Sequence, residues 1–566
     1  MGIPYYFKKV SSKFPTALSP KLKGCSRLFL DFNCAIHYCS NELKQSAEQI
    51  DTLAAFEARL IAEVLKYIDF LVAEAKPSEL MYISMDGLAP RAKMAQQRSR
   101  RYIGAYVKDK LAADSNASNA SPGKAWDSNA ISPGTVFMAS LATAICAHCT
   151  KYTFEAILSD TTEIGEGEHK ITGYIHAHPT DAQDVIYGLD ADLIMLALIN
   201  QNAVGIKLMR EPTFYDSDTL GSTKNTPFIY LDVGLLGTMI RTHIASSYGI
   251  VDSNGNANGN ANGTDAIAVY VFLCFFIGND FVPNLSFIKL KEDGLETLMA
   301  CYKTTVEETG EHVLKTSTSA DGQRRHSINF RVLWKLLERV ARLEDDAFLQ
   351  IHDKYMNQTV PKCQGKSQPS GERQLQAWPS TQAGRNGSHA DRIRPSEKGW
   401  RLNYYHYLFA SMTDVISDAC KSYLQGLQWL VDCYFHHSPH RGWYYRHAYS
   451  PTILDMFNYM TSELSKLNAP ALRGGFDVDG PGGVIGADEL DLQLMCILPS
   501  ASAHLVKPHL RPLFTDVNHG LVHMFPQAFG FDGYLKRFLW ECHPRIPVPS
   551  VGDIRDRVEA VAPSGR

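Results

Sequence analysis

Short apolar runs that end in aspartate recur in the first third of the chain. They are RLFLD at 27–31, LMYISMD at 80–86 and DVIYGLD at 184–190. Uninterrupted apolar runs of this length are typical of parallel strands that are covered on both faces. Because the carboxyl ends of parallel strands meet at one edge of a sheet, we expect Asp31, Asp86 and Asp190 to be neighbours.

A helical pattern lies between the first two runs. Apolar residues recur there at spacings of three and four, which predicts one face of an amphipathic helix. These residues are Leu53, Phe56, Leu60, Val64, Ile68 and Leu71. The order strand, helix, strand predicts an α/β fold with a mixed or parallel central sheet flanked by helices.

Two polar stretches interrupt this pattern. Residues 252–265 form a Gly/Asn-rich loop that is too polar to pack in a core. Residues 356–399 are rich in Gly, Pro, Ser and Gln, as expected of a linker or disordered insert. We therefore predict a first domain at 1–355 and a second, unusually aromatic domain at 400–566.

Further acids follow the same order along the chain. Glu166 and Glu168 in IGEGEHKI, like Asp190 and Asp192 in GLDADL, stand two residues apart. On an extended chain this spacing places both members on one face. Asp280 in FFIGND follows an apolar segment that we predict to be helical. The candidate catalytic and metal-binding residues are Asp31, Asp86, Glu166, Glu168, Asp190, Asp192 and Asp280.

Burying charged carboxylates at the ends of strands costs free energy unless a nearby cation balances their charge. Oxygen ligands without histidine or thiolate partners favour Mg²⁺ or Mn²⁺ over zinc. In many nucleases two such ions, about 4 Å apart, clamp the attacking and leaving oxygens of a phosphodiester. A single aspartate at a strand end is more often a helix cap or a turn residue. The convergence of all seven acids is what favours a metal site.

A basic segment, PRAKMAQQRSRRY, begins just after Asp86. Its composition predicts a helix, on which Lys93, Gln97, Arg100 and Arg101 share one face while Arg91 and Arg98 point elsewhere. Arginine and lysine on one face can grip a phosphate group. The alternative is an ordinary solvated basic surface.

Composition narrows the class of protein. A chain of 566 residues with 45% hydrophobic residues favours two or more domains. No apolar run reaches the roughly 20 residues that span a bilayer, and no signal-peptide pattern opens the chain. The 12 cysteines are too sparse for a disulfide scaffold, and we expect Cys146 and Cys149, a lone C-x-x-C pair, to pack in the core. We expect a cytoplasmic or nuclear protein that is neither secreted nor membrane-bound.

Taken in order, these motifs resemble the XRN family of 5′→3′ exoribonucleases. The matching segments are MGIPYYFKKVSSKFP, LFLDFNCAIH, SMDGLAPRAKMAQQRSRRY, WDSNAISPGTVFM, IGEGEHKI, GLDADLIML and FFIGNDFVP, followed beyond residue 399 by GWRLNYYHYLF, YLQGLQWL, GWYYRHAYSP and LMCILPSASAHLV. The resemblance implies a PIN- or FEN-like nuclease core, with a second, aromatic-rich region packed around it that completes the active-site pocket. We expect a minimal member that contains only the catalytic core.

The resemblance also implies roles for individual residues. The seven acids correspond to the family's catalytic, metal-binding carboxylates. The pocket for the 5′-monophosphate corresponds to Lys93, Gln97, Arg100 and Arg101. His37 corresponds to the histidine that stacks on the terminal base, and Trp443 is a candidate for the second stacking partner. Arg441 stands where the family has tryptophan, so this aromatic motif departs from the family pattern.

The implied function is processive 5′→3′ hydrolysis of single-stranded RNA that carries a 5′-monophosphate. The products are nucleoside 5′-monophosphates, and the cofactor is Mg²⁺ or Mn²⁺, with two ions at the site. The predicted partner is RNA. The predicted role is in RNA decay or processing. Two alternatives stay open: a flap-type structure-specific endonuclease that acts on DNA, and a non-catalytic RNA-binding scaffold.

Overall fold

The structure is a computed structural model. It describes residues 5–46, 50, 52–114, 126–200, 203–212, 226–249, 265–318, 324–358, 374–409, 415–479, 483–486 and 489–561. The chain divides into two compact units. The first contains Met1–Ala89, Asn119–Val271 and Gly486–Leu494, and the second contains Pro90–Ser118, Phe272–Ile485 and Met495–Arg566.

A mixed seven-stranded sheet forms the centre of the first unit. Its strands are β1 (Leu18–Ser19), β2 (Arg27–Asp31), β3 (Leu80–Ser84), β4 (Glu155–Ser159), β5 (Asp184–Tyr187), β6 (Ile206–Arg210) and β7 (Ile229–Asp232). The strand order is β1-β7-β6-β5-β2-β3-β4. The five strands from β6 to β4 run parallel. Strand β7 pairs antiparallel with β6, and β1 pairs antiparallel with β7. The prediction of an α/β fold with a mixed central sheet is confirmed.

Helices flank this sheet in the first unit. They are α1 (Tyr6–Lys13), α2 (Phe32–Gln45), α3 (Leu53–Ala75), α5 (Val136–Cys149), α6 (Gly167–Ala177), α7 (Ala191–Ile199) and α8 (Val233–Tyr248). Helix α3 is the amphipathic helix that the spacing predicts. Five of its six predicted apolar residues are buried, but Leu53, in the first turn, is 48% exposed.

The predicted strands form because their side chains are buried on both faces of the sheet. Leu28, Phe29 and Leu30 of β2 have no exposed surface. At the amino end of the same strands, Arg27 forms a buried ion pair with Asp184, with 2.6 Å between Nη2 and Oδ2. This arginine compensates the aspartate that begins β5.

The second unit contains α4 and most of the helices in the later part of the chain. They are α4 (Arg91–Asp114), α10 (Gly294–Thr309), α11 (Phe330–Ala341), α12 (Glu344–Met356), α13 (Gln382–Gly387), α14 (Ala390–Ile393), α15 (Trp400–Leu408), α16 (Val415–His436), α17 (Ile453–Glu463), α18 (Ala469–Arg473), α20 (Pro512–Thr515) and α21 (Val551–Ala560). Helices α9 (Ala266–Cys274) and α19 (Leu490–Ile497) are divided between the units. Two short antiparallel pairs complete the secondary structure: β8 (Leu314–Thr318) with β9 (Arg324–Ile328), and β10 (Phe531–Asp532) with β11 (His543–Pro544).

The expected insert at 356–399 is partly folded. Helices α13 and α14 lie within it, and Ala390 and Ile393 of α14 have no exposed surface. The ring of Trp378 lies 6.1 Å from that of Phe531. The two compact units are discontinuous, and the chain passes between them after residues 89, 118, 271, 485 and 494. Residues 359–373 of this stretch, and 252–264 of the low-complexity loop expected at 252–265, lie outside the described residues.

Across the described ranges, no helix is long and apolar enough to cross a membrane. Every cysteine in those ranges is a free thiol. Cys146, near the end of α5, is exposed, so the prediction that it packs in the core is wrong. Its position on the outer face of the helix could not be read from an apolar segment without a clear period.

Glu344 is a buried acid that joins three helices of the second unit. Its Oε1 accepts the backbone N–H of Ile453 at 2.6 Å, and its Oε2 accepts that of Leu454 at 3.1 Å. Arg401 of α15 donates to Oε2 at 2.8 Å. The carboxylate therefore satisfies the first N–H groups of α17 and balances the arginine.

We expect Glu344→Ala to lower the free energy of unfolding by about 3 kcal/mol, because it removes the buried acceptor at the start of α17 and leaves Arg401 to its pair with the exposed Asp345. Urea denaturation of both proteins measures the change. Glu338→Ala is the matched control, since Glu338 pairs with Lys335 and Arg342 at the protein surface. It should cost less than about 1 kcal/mol. Equal losses for the two variants would contradict this interpretation.

Candidate active site

Acids follow the carboxyl ends of four adjacent parallel strands in the first unit. Asp31 is the last residue of β2, and Asp86 lies two residues beyond β3. Glu166 follows β4, and Asp190 follows β5. Because these strands are parallel and adjacent, their carboxyl ends share one edge of the sheet. We call this feature the acidic edge; it contains Asp31, Asp86, Glu166, Glu168, Asp190 and Asp192.

The two acid pairs occupy helix N-termini. Glu166 is the N-cap residue of α6, and Glu168 lies in its first turn. Asp190 and Asp192 have the same positions at α7. The prediction that each pair lies on one face of an extended chain is therefore wrong. A helix N-terminus carries unsatisfied N–H groups and a partial positive charge, which stabilise carboxylates.

Asp86 is held by hydrogen bonds from two sides. The side-chain amide of Asn33 donates to Oδ2 at 2.9 Å, and the backbone N–H of Gly167 donates to Oδ1 at 2.8 Å. The carboxylate is thereby fixed in one orientation. Asn33 is not among the predicted site residues, although it stands two residues after Asp31 in the DFN segment.

Two glycines allow Asp31 to sit close to the backbone of its neighbours. A Cβ atom added to Gly167 would lie 2.8 Å from Oδ1 of Asp31 and 3.5 Å from Oδ1 of Asp86. A Cβ atom added to Gly188 would lie 3.6 Å from Oδ2 of Asp31. The loops after β4 and β5 therefore pass directly beside this carboxylate.

The acidic edge shifts the titration of its neighbours. Burial raises the pKa of the Cys34 thiol well above its usual range, and the carboxylates of Asp31 and Asp190 add to the shift. Burial lowers the pKa of Lys170 to about 8, although Glu163 and Asp86 oppose this shift. The thiol of Cys34 also contacts Asp31 directly, with 2.9 Å between Sγ and the carbonyl oxygen.

The seventh predicted acid, Asp280, belongs to the second unit. Its Oδ2 lies 3.1 Å from Nζ of Lys93 in an ion pair that is almost completely buried. The same ammonium lies 5.8 Å from the centre of the Phe281 ring. The lysine predicted to bind phosphate is thus paired with an acid predicted to bind metal.

The basic residues of α4 lie on two faces of the helix, as the helical spacing predicts. Arg91 and Arg98 are buried. Arg91 pairs with Asp479 at 2.8 Å, and Arg98 donates to the carbonyl oxygen of Cys496 at 3.0 Å. These two arginines hold the second unit together.

The other face of α4 carries the four residues predicted to bind phosphate. Arg101 donates from Nη1 to Oε1 of Gln97 at 3.3 Å. Arg100 is exposed, while Gln97 and Arg101 are half-buried. With Lys93, they form a row of donors along one side of the helix, which we call the α4 donor row.

The two residues predicted to stack on a base have opposite surroundings. His37 on α2 is exposed. Trp443 has no exposed surface, and its ring lies 5.3 Å from that of Trp429. A completely buried ring offers no face to a base, so the structure gives no support to the stacking role of Trp443.

The donor set of the acidic edge suits a hard divalent cation, because its side chains are all carboxylates. The close approach that Gly167 and Gly188 allow beside Asp31 fits such an ion. Within the described ranges, no three His, Cys, Asp or Glu side chains lie close enough to hold a metal ion as they stand. Metal binding at this edge therefore stays a prediction.

Comparison with known proteins assigns the chain to a family. The profile of the XRN 5′-3′ exonuclease N-terminus matches residues 1–212, and that of the Xrn1 helical domain matches residues 262–375 and 353–562. The 5′-3′ exoribonuclease 2 of Debaryomyces hansenii is 24% identical over 97% of this chain and 68% of its own length. The 5′-3′ exoribonuclease 2 of Gallus gallus is 25% identical over 100% of this chain and 70% of its own length. The 5′-3′ exoribonuclease 1 of Homo sapiens is 25% identical over 97% of this chain and 33% of its own.

The α/β core with its acidic edge is that of a nuclease domain. The helical-domain profile alone spans more than half of the chain. The chain therefore belongs to the XRN family of 5′→3′ exonucleases. The prediction of this family from the sequence motifs is confirmed.

Gly167 provides a direct test of the acidic edge. We expect Gly167→Ala to reduce exonuclease activity about tenfold or more, because the new methyl group would displace the carboxylate of Asp31. The midpoint of thermal unfolding should fall only slightly, because the closest atom is the end of a side chain and the backbone oxygen of Ser84 lies 3.1 Å away. Gly173→Ala is the matched control on the same helix, because nothing lies within 4 Å of the Cβ atom that it would add. Full activity in Gly167→Ala would contradict the expected crowding of Asp31.

Proposed function

We propose that this protein is a processive 5′→3′ exoribonuclease in RNA decay or processing. It hydrolyses single-stranded RNA that carries a 5′-monophosphate and releases nucleoside 5′-monophosphates. The observation that carries the proposal is the acidic edge, in which carboxylates follow four adjacent parallel strands of a nuclease core. Family membership and the names of the relatives support the direction of digestion and the RNA substrate.

The acidic edge would hold Mg²⁺ or Mn²⁺, with two ions at the site. The metal-binding role of Asp280, in the second unit, stays a prediction. Such ions, when bound, supply an activated water and stabilise the leaving oxygen of the phosphodiester. The protein's own contribution is orientation. Asn33 and the N–H of Gly167 fix Asp86, and the N-termini of α6 and α7 carry the two acid pairs.

The α4 donor row would bind the 5′-monophosphate. Arginine forks and a lysine form charge-assisted hydrogen bonds with phosphate oxygens. Lys93 already lies beside an acid, so its side chain is held in place. Each hydrolysis leaves a new 5′-monophosphate on the shortened strand. The group that is recognised is thereby renewed, which allows the enzyme to continue without releasing the strand.

His37 would stack on the terminal base. The residue is exposed, and stacking tolerates any base because every base has a π face. Such a contact would hold the RNA strand without a preference for its sequence. No observation favours the two alternatives, a flap-type DNA endonuclease and a non-catalytic scaffold. We place the enzyme in the cytoplasm or the nucleus.

The test compares RNAs of one sequence that carry a 5′-monophosphate, a 5′-triphosphate or a 5′-hydroxyl. Each RNA is incubated with Mg²⁺ or with EDTA, and mononucleotide release is followed by chromatography. We expect rapid release only from the monophosphate with Mg²⁺. A circular RNA of the same sequence is the control, because it has no end. Cleavage of the circle, faster internal cleavage of a branched DNA, or no hydrolysis of any RNA would contradict the proposal.

A further inference from the structure

Glu211 is an acid at the carboxyl end of β6 that the sequence analysis did not identify. Strand β6 runs parallel to β5, so Glu211 emerges at the same edge of the sheet as Asp190. The N–H of Gly188 donates to the carbonyl oxygen of Met209 at 3.1 Å. The chain that leaves β5 toward Asp190 is therefore tied to β6 close to Glu211.

Two tyrosines donate hydrogen bonds to one oxygen of Glu211. Tyr187, the last residue of β5, donates to Oε1 at 2.6 Å. Tyr67 of α3 donates to the same oxygen, and the two phenol oxygens lie 3.3 Å apart. Burial raises the pKa of both phenols, and the carboxylate of Glu211 raises it further. Both tyrosines therefore stay protonated and remain donors.

The second oxygen of Glu211 faces inward. Oε2 is buried, and it makes no hydrogen bond within the described ranges. Glu211 therefore lies beside the end of β5, with one carboxylate oxygen bonded to Tyr187 and the other buried.

We propose that Glu211 is a positioning residue of the acidic edge. Through Oε1 it anchors the Tyr187 side chain, and with it the turn from Gly188 that presents Asp190 and Asp192. This proposal rests on the proposed function, because it assigns a purpose to the orientation of those two acids. Hydrogen-bond partners behind the ligands of a metal orient those ligands, and their loss typically weakens metal binding about 10- to 100-fold.

Three substitutions distinguish the loss of the hydrogen bonds to Glu211 from the loss of its negative charge. Glu211→Ala removes the acceptor of both phenols. Glu211→Gln keeps a carbonyl oxygen that can accept both hydrogen bonds, but it removes the negative charge. Tyr187→Phe removes a single phenol oxygen from a ring that otherwise keeps its packing. Tyr38→Phe is the matched control, because Tyr38 is 42% exposed and its ring packs against Tyr67 at 5.0 Å.

The main measurement is Mn²⁺ binding without RNA, followed by the relaxation rate of water protons. We expect Glu211→Ala and Tyr187→Phe to weaken Mn²⁺ binding about tenfold. Glu211→Gln and Tyr38→Phe should bind Mn²⁺ as the unsubstituted chain does. Release of mononucleotides should fall in the same order, and added Mn²⁺ should restore part of it.

Two results would overturn the proposal. One is unchanged Mn²⁺ binding in both Glu211→Ala and Tyr187→Phe. The other is a loss in Glu211→Gln as large as that in Glu211→Ala, which would assign the effect to charge instead of anchoring. If Glu211→Ala fails to fold, Tyr187→Phe decides, because it changes only one atom. Mn²⁺ binding by the unsubstituted chain without RNA hydrolysis would contradict the proposed function alone.

Discussion

Asp192→Asn is expected to reduce mononucleotide release on the order of 10³-fold or more, the scale typical of losing a group that acts directly in catalysis. Asp192 lies in the first turn of α7 and is buried. Asparagine keeps the shape of the side chain and its ability to accept a hydrogen bond at a helix N-terminus. It removes only the charge that a divalent cation requires. Binding of RNA should survive, because the α4 donor row is unchanged.

The measurement pairs release of mononucleotides with the affinity for a 5′-monophosphorylated RNA in EDTA. Asp181→Asn is the matched control, since Asp181 is exposed in the loop before β5. It should leave both values unchanged. An Asp192→Asn protein that retains most of its activity would show that this carboxylate takes no part in the reaction.

Arg101→Ala is expected to remove most of the preference for a 5′-monophosphate over a 5′-hydroxyl. The side chain belongs to the α4 donor row and bonds to Gln97. A hydrogen bond between charged groups is worth about 1.5–3 kcal/mol, which corresponds to a loss of roughly 10- to 100-fold in kcat/KM on the phosphorylated RNA. The rate on the 5′-hydroxyl RNA should change little, because that end offers no phosphate.

Two variants on the same helix serve as comparisons for Arg101→Ala. Lys110→Ala removes an exposed charge farther along α4 and should keep the full preference. Arg98→Ala removes a buried arginine that donates to the carbonyl oxygen of Cys496. It should lower the unfolding temperature. The protein that remains folded should keep its preference for a 5′-monophosphate on the RNA. An equal loss on both RNA ends in Arg101→Ala would show a general effect on binding.

The acidic edge could be predicted where the sequence pattern was unambiguous. Continuous apolar runs that end in aspartate identified β2, β3 and β5, because strands that are buried on both faces show no alternation. The same reasoning failed at Asp190 and Asp192. The segment ADLIMLALI is apolar on all sides of α7, so it carries no helical period from which the start of a helix could be read.

Helix α4 shows the opposite case. The separation of Arg91 and Arg98 from the α4 donor row follows from the helical spacing of these residues alone. Burial of Trp443 could not be predicted, because aromatic residues are equally common in cores and at binding surfaces. Glu211 escaped notice for a related reason. Its place at the edge depends on the order β6-β5, which the sequence does not state.

Diffraction from crystals grown with Mn²⁺ would show directly whether the acids gather to bind metal. The anomalous scattering of manganese locates each ion without reference to the protein. We predict ions beside the carboxylates of the acidic edge, in contact with oxygens of Asp31, Asp190 or Asp192. Ions bound elsewhere, with none at that edge, would contradict the prediction and remove the basis for the proposed catalysis.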